Sequence, residues 1–455
     1  MAEQKNSLRI VAHGMLGYGF PKASLDEAVR RGIDLIAVDS GSTDPGPYYL
    51  GSGRPFVSDT MVERDLRLLL QAADESGALL VIGSAGGAGT RSQLQHIYAL
   101  VESVVQELGT TKRIAVIDSE IDPNQLKADL LAGRVRTFES GRDLTEKDID
   151  EAQHIVAQIG LEPMMSALRH EPDIILAGRA WDVANVAAYP VYRGLPWGPS
   201  LHMGKILECG GQAAVPVEGS DLLIAEIDHD GFTVETPNPG KRCTVESIAA
   251  HTLYEKINPV RLPGPGGVVN LESAHFTQED EGRVRVMGSR FERTPDYFIK
   301  LEGARLTGHR HIALGGVRDP IMIENIDAIQ NDILERIRQN TAGDIDTQSY
   351  QIVFHRYGID GVMGRWEPSR STSHEIGLLI DVIAKTPEIA ESICAMARSL
   401  MLHWGYAGRK ATAGNLAFPF SPADLPAGPV YEFNIYHLLK LDEPSDRFPI
   451  SIREV

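Results

Sequence analysis

Cysteine is scarce in this chain. Only Cys209, Cys243 and Cys394 occur in 455 residues, and no C-x-x-C or Cys/His pair has zinc-site spacing. That excludes a disulfide-stapled scaffold and a zinc finger and fits a reducing compartment. Long hydrophobic runs are also missing. No segment approaches the ~18 consecutive apolar residues of a membrane span, so no membrane partner is expected. The opening residues pass straight into a strand-like Leu8 to Ala12 without a signal-peptide apolar region, which predicts a soluble, cytoplasmic protein. Positive charge is in deficit: 44 Lys and Arg stand against 62 Asp and Glu, a net charge of −18. A nucleic-acid partner is excluded on that balance, because neutralising phosphates requires basic patches.

What is present is glycine, placed at the ends of apolar runs. Ile33 to Val38 ends in Asp39-Ser-Gly-Ser-Thr-Asp44-Pro-Gly46, Leu79 to Ile82 in Gly83-Ser-Ala-Gly-Gly-Ala-Gly89, and Ile174 to Ala177 in Gly178-Arg179-Ala-Trp181-Asp182. Strand-like and helix-like segments alternate from Leu8 to about Asn185, the signature of α/β construction around a parallel sheet. Ligands of such sheets bind at the carboxyl ends of the strands, so these three turns predict a small-molecule site. At this length a single core is exceeded and two domains are expected. After Gly204 the texture changes to period-two strands and hairpins, read as an antiparallel extension of the first domain or as a separate β-rich domain. The polar, turn-rich stretch Asn340 to Ser349 predicts the main boundary. The fold class expected is therefore α/β: a domain over 1–340 with a parallel sheet and an antiparallel extension, then a small α+β domain over 350–455, ferredoxin-like in element order.

The Asp39 to Tyr49 loop crowds Asp39, Asp44, Ser42, Thr43 and Tyr48 together. These residues can orient a polar substrate and exchange protons with it, or simply cap their own turns. Ser84, Gly86 and Gly87 could cradle an anion on backbone N–H groups, or form a packing turn. That stretch is neither G-x-x-x-x-G-K-[ST] nor a G-x-G-x-x-G with a later acidic residue, so ATP and NAD signatures are lacking. Arg179 could clamp a substrate carboxylate, or pair with Asp182 to fix the loop. In Leu201 to Gly211, helical spacing would put His202, Lys205 and Cys209 on one face, where Lys205 would activate the thiol. Glu208 and His202 are candidate general bases. Asp39, Asp44, Asp182, His202 and Glu208 could also collect a hard divalent cation, Mg²⁺ or Mn²⁺.

Five segments carry a family resemblance: Val38 to Gly51, Ile82 to Gly89, Ala177 to Ala180, Gly204 to Gly210, and Gly358-Ile-Asp-Gly-Val-Met-Gly364. Over nearly its whole length the chain resembles the acyclic terpene utilisation (AtuA-like) family, as a branch set apart by its His13-Gly-Met-Leu-Gly-Tyr-Gly19 opening and its Asp39 loop. The resemblance implies an α/β N-terminal domain and a smaller C-terminal one, and it assigns no catalytic residue. The function expected from the residues is catabolism of a small carboxylic acid or its coenzyme A thioester by proton abstraction, as a lyase, hydratase or isomerase. Two other classes compete with it: a hydrolase working through Cys209, and a non-catalytic acyl- or organic-acid-binding subunit of a catabolic complex. Expected partners are the small carboxylate or acyl-CoA and further copies of the chain.

Overall fold

The computed structural model describes residues 6–139, 141–254, 257–369 and 373–455. The chain divides into two compact units, Met1–Arg305 with Phe433–Val455, and Leu306–Glu432.

In the first unit the strands are β1 (Leu8–His13), β2 (Leu35–Asp39), β3 (Leu79–Gly83), β4 (Arg113–Ile117), β5 (Val135–Thr137), β6 (Ala152–Ala157), β7 (Ile174–Ala177), β8 (Leu222–Ile227), β9 (Gly231–Glu235), β10 (Arg261–Gly264), β11 (Gly267–Asn270), β12 (His275–Gln278), β13 (Val284–Met287) and β14 (Arg290–Arg293). Its helices are α1 (Lys22–Arg30), α2 (Pro47–Ser52), α3 (Asp59–Ser76), α4 (Arg91–Leu108), α5 (Pro123–Leu131), α6 (Glu146–Glu151), α7 (Leu161–Leu168), α8 (Asp182–Tyr192), α9 (Trp197–Leu207) and α10 (Val245–Leu253). The second unit holds most of β15 (Tyr297–Val317), with α11 (Pro320–Glu324), α12 (Ile326–Asn340), β16 (Tyr350–Tyr357), β17 (Ile376–Ala384), α13 (Pro387–His403) and the start of β18 (Asp424–Leu441). A last strand, β19 (Ile450–Glu454), belongs to the first unit.

A ten-stranded sheet organises the first unit in the order β12-β13-β9-β8-β1-β2-β3-β7-β4-β19. Its five central strands, β1, β2, β3, β7 and β4, are parallel, and every other neighbour pair is antiparallel. This is mixed α/β architecture. The period-two region after Gly204 does extend the same sheet, through β8, β9, β13 and β12, and also supplies the small β10-β11-β14 sheet. The central strands are buried on both faces, which is why they read as unbroken apolar runs. Helices α1, α3 and α4 pack on one face over Val11, Ile36, Val38 and Ile82, whereas α7, α8 and α9 pack on the other over Ala12, Ala37, Val81 and Ala177.

β3 therefore feeds a helix on one face and its neighbour β7 a helix on the other. Their loops part there, at the switch point where open α/β sheets bind ligands.

Within the second unit, β16 and β17 pair antiparallel and β17 pairs with the later part of β15, His309–Val317. Helices α12 and α13 cover one face of this sheet through Ile329, Ile333, Ile337, Ile393 and Ala397. The boundary expected at 340–350 differs from the observed division: that stretch only joins α12 to β16. The chain crosses between units inside β15 and β18, where the strands run on without a turn or a glycine- and proline-rich linker to mark the crossing.

Candidate functional site

Three strand ends converge chemically. β1 ends in His13, β2 in Asp39, and β7 runs into Arg179 and Asp182, the last being the first residue of α8. His13, Asp39, Asp182, Asn185 and Glu208 line one cavity of about 10 Å³, with Ala12, Ala37, Val38, Val186 and Leu207 as its apolar wall. Asp39 is fixed by its backbone: its carbonyl accepts from Leu16 N (2.8 Å), and the next amide, Ser40 N, donates to Gly83 O (3.0 Å).

Several polar side-chain atoms of these lining residues are short of partners, although the His13 ring, in register with Val38 and Leu222, lies toward Asp65 and Phe20 on the α1/α3/α4 face, opposite Asp39 and Asn185. Both ring nitrogens of His13, both amide atoms of Asn185 and Oδ1 of Asp39 are buried and make no hydrogen bond among the described residues. Buried polar groups normally find a partner, and each exception calls for an explanation. Glycines of two strand-end loops, after β1 and β3, hold these side chains in place. Asn185 lies against the bare Cα of Gly83, where a Cβ would come within 2.1 Å of its Oδ1. His13 is 3.9 Å from Asp65 Oδ2, which is occupied in accepting from Gly17 N (2.8 Å) and Gly19 N (3.0 Å). Gly14 packs on the carbonyl of Cys209, leaving no room for a side chain.

Charge is arranged in layers. Arg179 is buried; its Nε donates to Glu302 Oε2 (2.8 Å) and its Nη1 to Ser84 Oγ (3.2 Å), Ala180 O (2.8 Å) and Asp182 Oδ1 (3.1 Å). Glu302, fully buried on β15, also accepts from Thr43 Oγ1 (2.8 Å) and pairs with Lys300 Nζ (2.9 Å). Burial would raise the Glu302 carboxyl, but Arg179 and Lys300 outweigh it and bring it down to about 2. Asp39 behaves oppositely. Loss of hydration, reinforced by Asp182, pushes its carboxyl well above the ordinary carboxylate range, and Arg179 offsets only part of this. Asp182 is raised in the same way by burial, with Arg179 opposing; its side chain is 32% exposed at the mouth and directly bonded to the guanidinium. Burial thus favours the neutral acid at Asp39 most strongly, whereas at Asp182 the Arg179 guanidinium opposes the same effect. Burial lowers the His13 ring to about 4, against the pull of Asp65, so it is neutral near pH 7.

The other expected residues fall elsewhere. Asp44 is exposed on the loop rim, its carboxylate accepting from Ser42 Oγ (2.7 Å) and its own amide N–H donating to that oxygen (3.2 Å), the self-capped turn those residue types favour. Thr43 turns inward to Glu302. Tyr48 sits on α2, edge-to-face with Tyr49 at 5.3 Å.

Ser84, Gly86 and Gly87 lie in a wholly buried turn whose amides are partly spent inside the protein. Ser84 N donates to Gly178 O and Ala85 N to Ala177 O, both at 3.0 Å, while Gly86 backs on Gln93 and Gly87 on Phe56. The switch point itself is thus filled by loop on loop, and the cavity lies beside it over β1 and β2. Arg179 spends Nε and Nη1 within the protein, which leaves Nη2 alone, without a hydrogen bond among the described residues, to meet an anion; a bidentate clamp is not available.

The expected single face of His202, Lys205 and Cys209 does not form. α9 stops at Leu207, and Cys209, partly exposed, starts the following 3₁₀ turn, so the i+7 spacing has no helix under it. Lys205 bonds Glu208 Oε1. His202 points away from the cavity: Nδ1 meets Ser289 Oγ (2.7 Å), Nε2 meets Thr252 Oγ1 (3.1 Å), and Phe232 and Phe276 box the ring edge-to-face. Burial drops it to about 3. It is a satisfied core histidine. Among the described residues no group of three or more His, Cys, Asp or Glu side chains is arranged to hold a metal ion.

Sequence reasoning passed over His13, Asn185 and Glu302. His13 ends the first strand just as Asp39 ends the second. Asn185 was a lone polar residue in the apolar run Val183 to Ala188, and Glu302 shared Phe298 to Ala304 with only Lys300; that is their signal, because charged and amide side chains are rarely fully buried unless paired.

No helix among the described residues is long and apolar enough to cross a membrane. No curated protein and no solved structure matches the chain. The family model of the acyclic terpene utilisation family protein AtuA matches residues 58–420, which take in α3, the Gly83 turn, Arg179, Asp182, Asn185, Glu208, Glu302 and the Gly358 to Gly364 segment. The chain belongs to the AtuA family of acyclic terpene utilisation proteins.

Proposed function

We propose that the chain is a catabolic enzyme that moves a proton on a small carboxylic acid or its coenzyme A thioester, in a reaction of the lyase, hydratase or isomerase type. One observation carries this reading: two carboxyls, Asp39 and Asp182, line one cavity at the carboxyl ends of parallel strands, the first driven upward by burial and the second hydrogen-bonded to Arg179. Asp182 is the base, taking a proton from the carbon next to the substrate carbonyl. Asp39 is the acid, delivering a proton to the oxygen on which negative charge develops. Paired carboxyls with separated affinities for the proton are the arrangement that such chemistry requires. Arg179, anchored by Glu302, favours the ionised form of Asp182 and offers Nη2 to the carboxylate or thioester oxygen. Glu208 adds negative charge that favours the proton on Asp39. No step is routed through a metal. All three cysteines are free thiols, which supports a reducing compartment such as the cytoplasm.

The test is hydrogen exchange at the α-carbon in deuterated water, read by mass spectrometry across a panel of branched and linear acids and their coenzyme A thioesters. Wild-type chain is expected to exchange at least one of them, and Asp182→Asn to lose that exchange by about 10²–10⁴-fold, the range for a positioned acid or base. Full exchange in Asp182→Asn, with the same melting temperature, would discard the reading.

A further inference from the structure

Side chains alternate between the two faces of a strand, and residues paired across strands share a face. In β15, Ile299 and Leu301 enter the core of the first unit, while Glu302 turns the other way, to Thr43 and Arg179. Lys300 and Phe298 lie on the Glu302 side, as do Tyr436 of β18 and, paired with Leu438, Arg136 of β5. These side chains form one strip. The Arg136 guanidinium stands 3.7 Å from the centre of the Phe298 ring, the Lys300 ammonium 4.3 Å from that of Tyr436, and the rings of Phe138 and Tyr436 are 5.2 Å apart. The strip starts at the buried Glu302, which pairs with both Lys300 and Arg179, and runs out to solvent. There Tyr436 is 39% exposed, and the Arg136 side chain makes no hydrogen bond or ion pair among the described residues. Phe138, Tyr436 and Asn434 line a cavity of about 300 Å³ beside it, the lower end of the ~300–1,000 Å³ of small-ligand sites. Asn434 Nδ2 donates to Asp148 O (2.7 Å), whereas its Oδ1 lacks a partner among the described residues.

A small free acid has no use for such a strip. A coenzyme A thioester does, because it carries the acyl group at one end and an adenine with phosphates at the other. Exposed aromatic rings stack on a base, and guanidinium and ammonium groups meet phosphate. In a chain of net charge −18 a polyanionic ligand is repelled unless cations gather where it binds, and Arg136 and Lys300 gather here with Arg142 at the rim. Glu139, exposed, is the one carboxylate in the cavity lining. We infer that the strip and its cavity bind the nucleotide end of a coenzyme A thioester, with the adenine against Tyr436 and Phe138, its amino group toward Asn434 Oδ1, and the phosphates on Arg136 and Lys300. The inference rests on the proton-transfer reading and narrows its substrate to the thioester. The acyl end then lies toward Arg179 Nη2 and Asp182, which Glu302 links to the strip through Arg179.

Binding is read without turnover, so it fails or holds separately from the proton-transfer reading. In calorimetric titration of the full chain, coenzyme A is expected to bind, 3′,5′-ADP to compete with it, and pantetheine, which has no nucleotide, to bind about 10-fold more weakly or worse. Tyr436→Ala should weaken coenzyme A about 5-fold or more, the smaller end of the loss of one base–aromatic stack. Arg136→Ala should weaken it, and Arg136→Glu more strongly still; both change an exposed side chain and decide the matter where Tyr436→Ala does not fold. This pattern supports the site whether or not any α-proton exchanges. No binding of coenzyme A to the wild type would overturn the inference, even if the chain exchanged a free acid and so kept the proton-transfer reading. Unchanged affinity in the variants would overturn it too, as would ATP binding as tightly as coenzyme A, the mark of a nucleotide effector site.

Discussion

Two buried histidines in the first unit have nearly the same burial and opposite meanings. His202, inside α9, has a hydroxyl on each ring nitrogen, Ser289 and Thr252, and aromatic rings against its faces. His13, at the end of β1, has no hydroxyl on either nitrogen, only Phe20 edge-to-face at 4.8 Å and Asp65 3.9 Å away, and it lines a cavity together with Asp39 and an unpartnered Asn185. Both rings are driven neutral by burial, so the shifted proton affinity does not tell them apart. The inventory of partners does. A closed set of hydrogen bonds is a packing solution, and an open set at a strand end is a site waiting for a ligand group.

The sharpest way to break that contrast is to remove the charge that organises the open side. Arg179→Ala leaves Glu302 and Asp182 without their shared cation, and Glu302 is fully buried. Lys300 still pairs with Glu302, so unfolding in urea is expected to show a loss at the low end of the about 3–5 kcal/mol that breaking a buried ion pair costs.

The histidines themselves come next. His202→Phe strands the Ser289 and Thr252 hydroxyls and should cost about 1–3 kcal/mol of stability while leaving kcat/KM unchanged. His13→Phe should do the reverse, with stability within about 1 kcal/mol of wild type and turnover at least 10-fold lower, because it removes no satisfied hydrogen bond. Equal effects of the two changes on both readouts would erase the distinction.

Acid should act on the two regions alike. The unfolded imidazole takes a proton near 6.5, the folded rings only at about 4 for His13 and about 3 for His202. Between those values the unfolded chain binds more protons, so stability is full above pH 6.5 and falls on acidification, by at most ~1.4 kcal/mol per pH unit for each ring. Each Phe variant should flatten its own share of that slope in a pH series of denaturation curves.

The smallest effect is reserved for the thiol. Cys209 lies beyond the end of α9 and outside the cavity lining, so Cys209→Ala should keep kcat/KM within about 2-fold. A large loss would favour the thiol hydrolase instead.

How much of this was legible in the residues follows a physical line. Doubly buried parallel strands advertise themselves as apolar runs cut off by glycine or aspartate, so the central sheet and the strand-end placement of Asp39, Arg179 and Asp182 could be read directly. β19, Ile-Ser-Ile-Arg-Glu, is a short edge strand with alternate polar residues, and nothing local says it pairs with β4. The crossing between the units is hidden for a similar reason, since β15 and β18 continue through it as ordinary strands. The His202 grouping misled because helical spacing was extended past Leu207, where Gly210 and Gly211 pack on Asp221 and the helix cannot continue. His13, Asn185 and Glu302 were invisible as a set, because whether a buried polar atom has a partner is a property of three-dimensional contact and not of order along the chain.

The protonation state of Asp39 tests the account most directly. Carbon-13 NMR of carboxyl-labelled chain, with Asp39→Asn to assign the resonance, should show the Asp39 carboxyl titrating well above the ordinary carboxylate range, the direction set by its burial beside Asp182. An Asp39 carboxyl that is fully ionised at pH 7 and titrates in the ordinary range near 4 would contradict it.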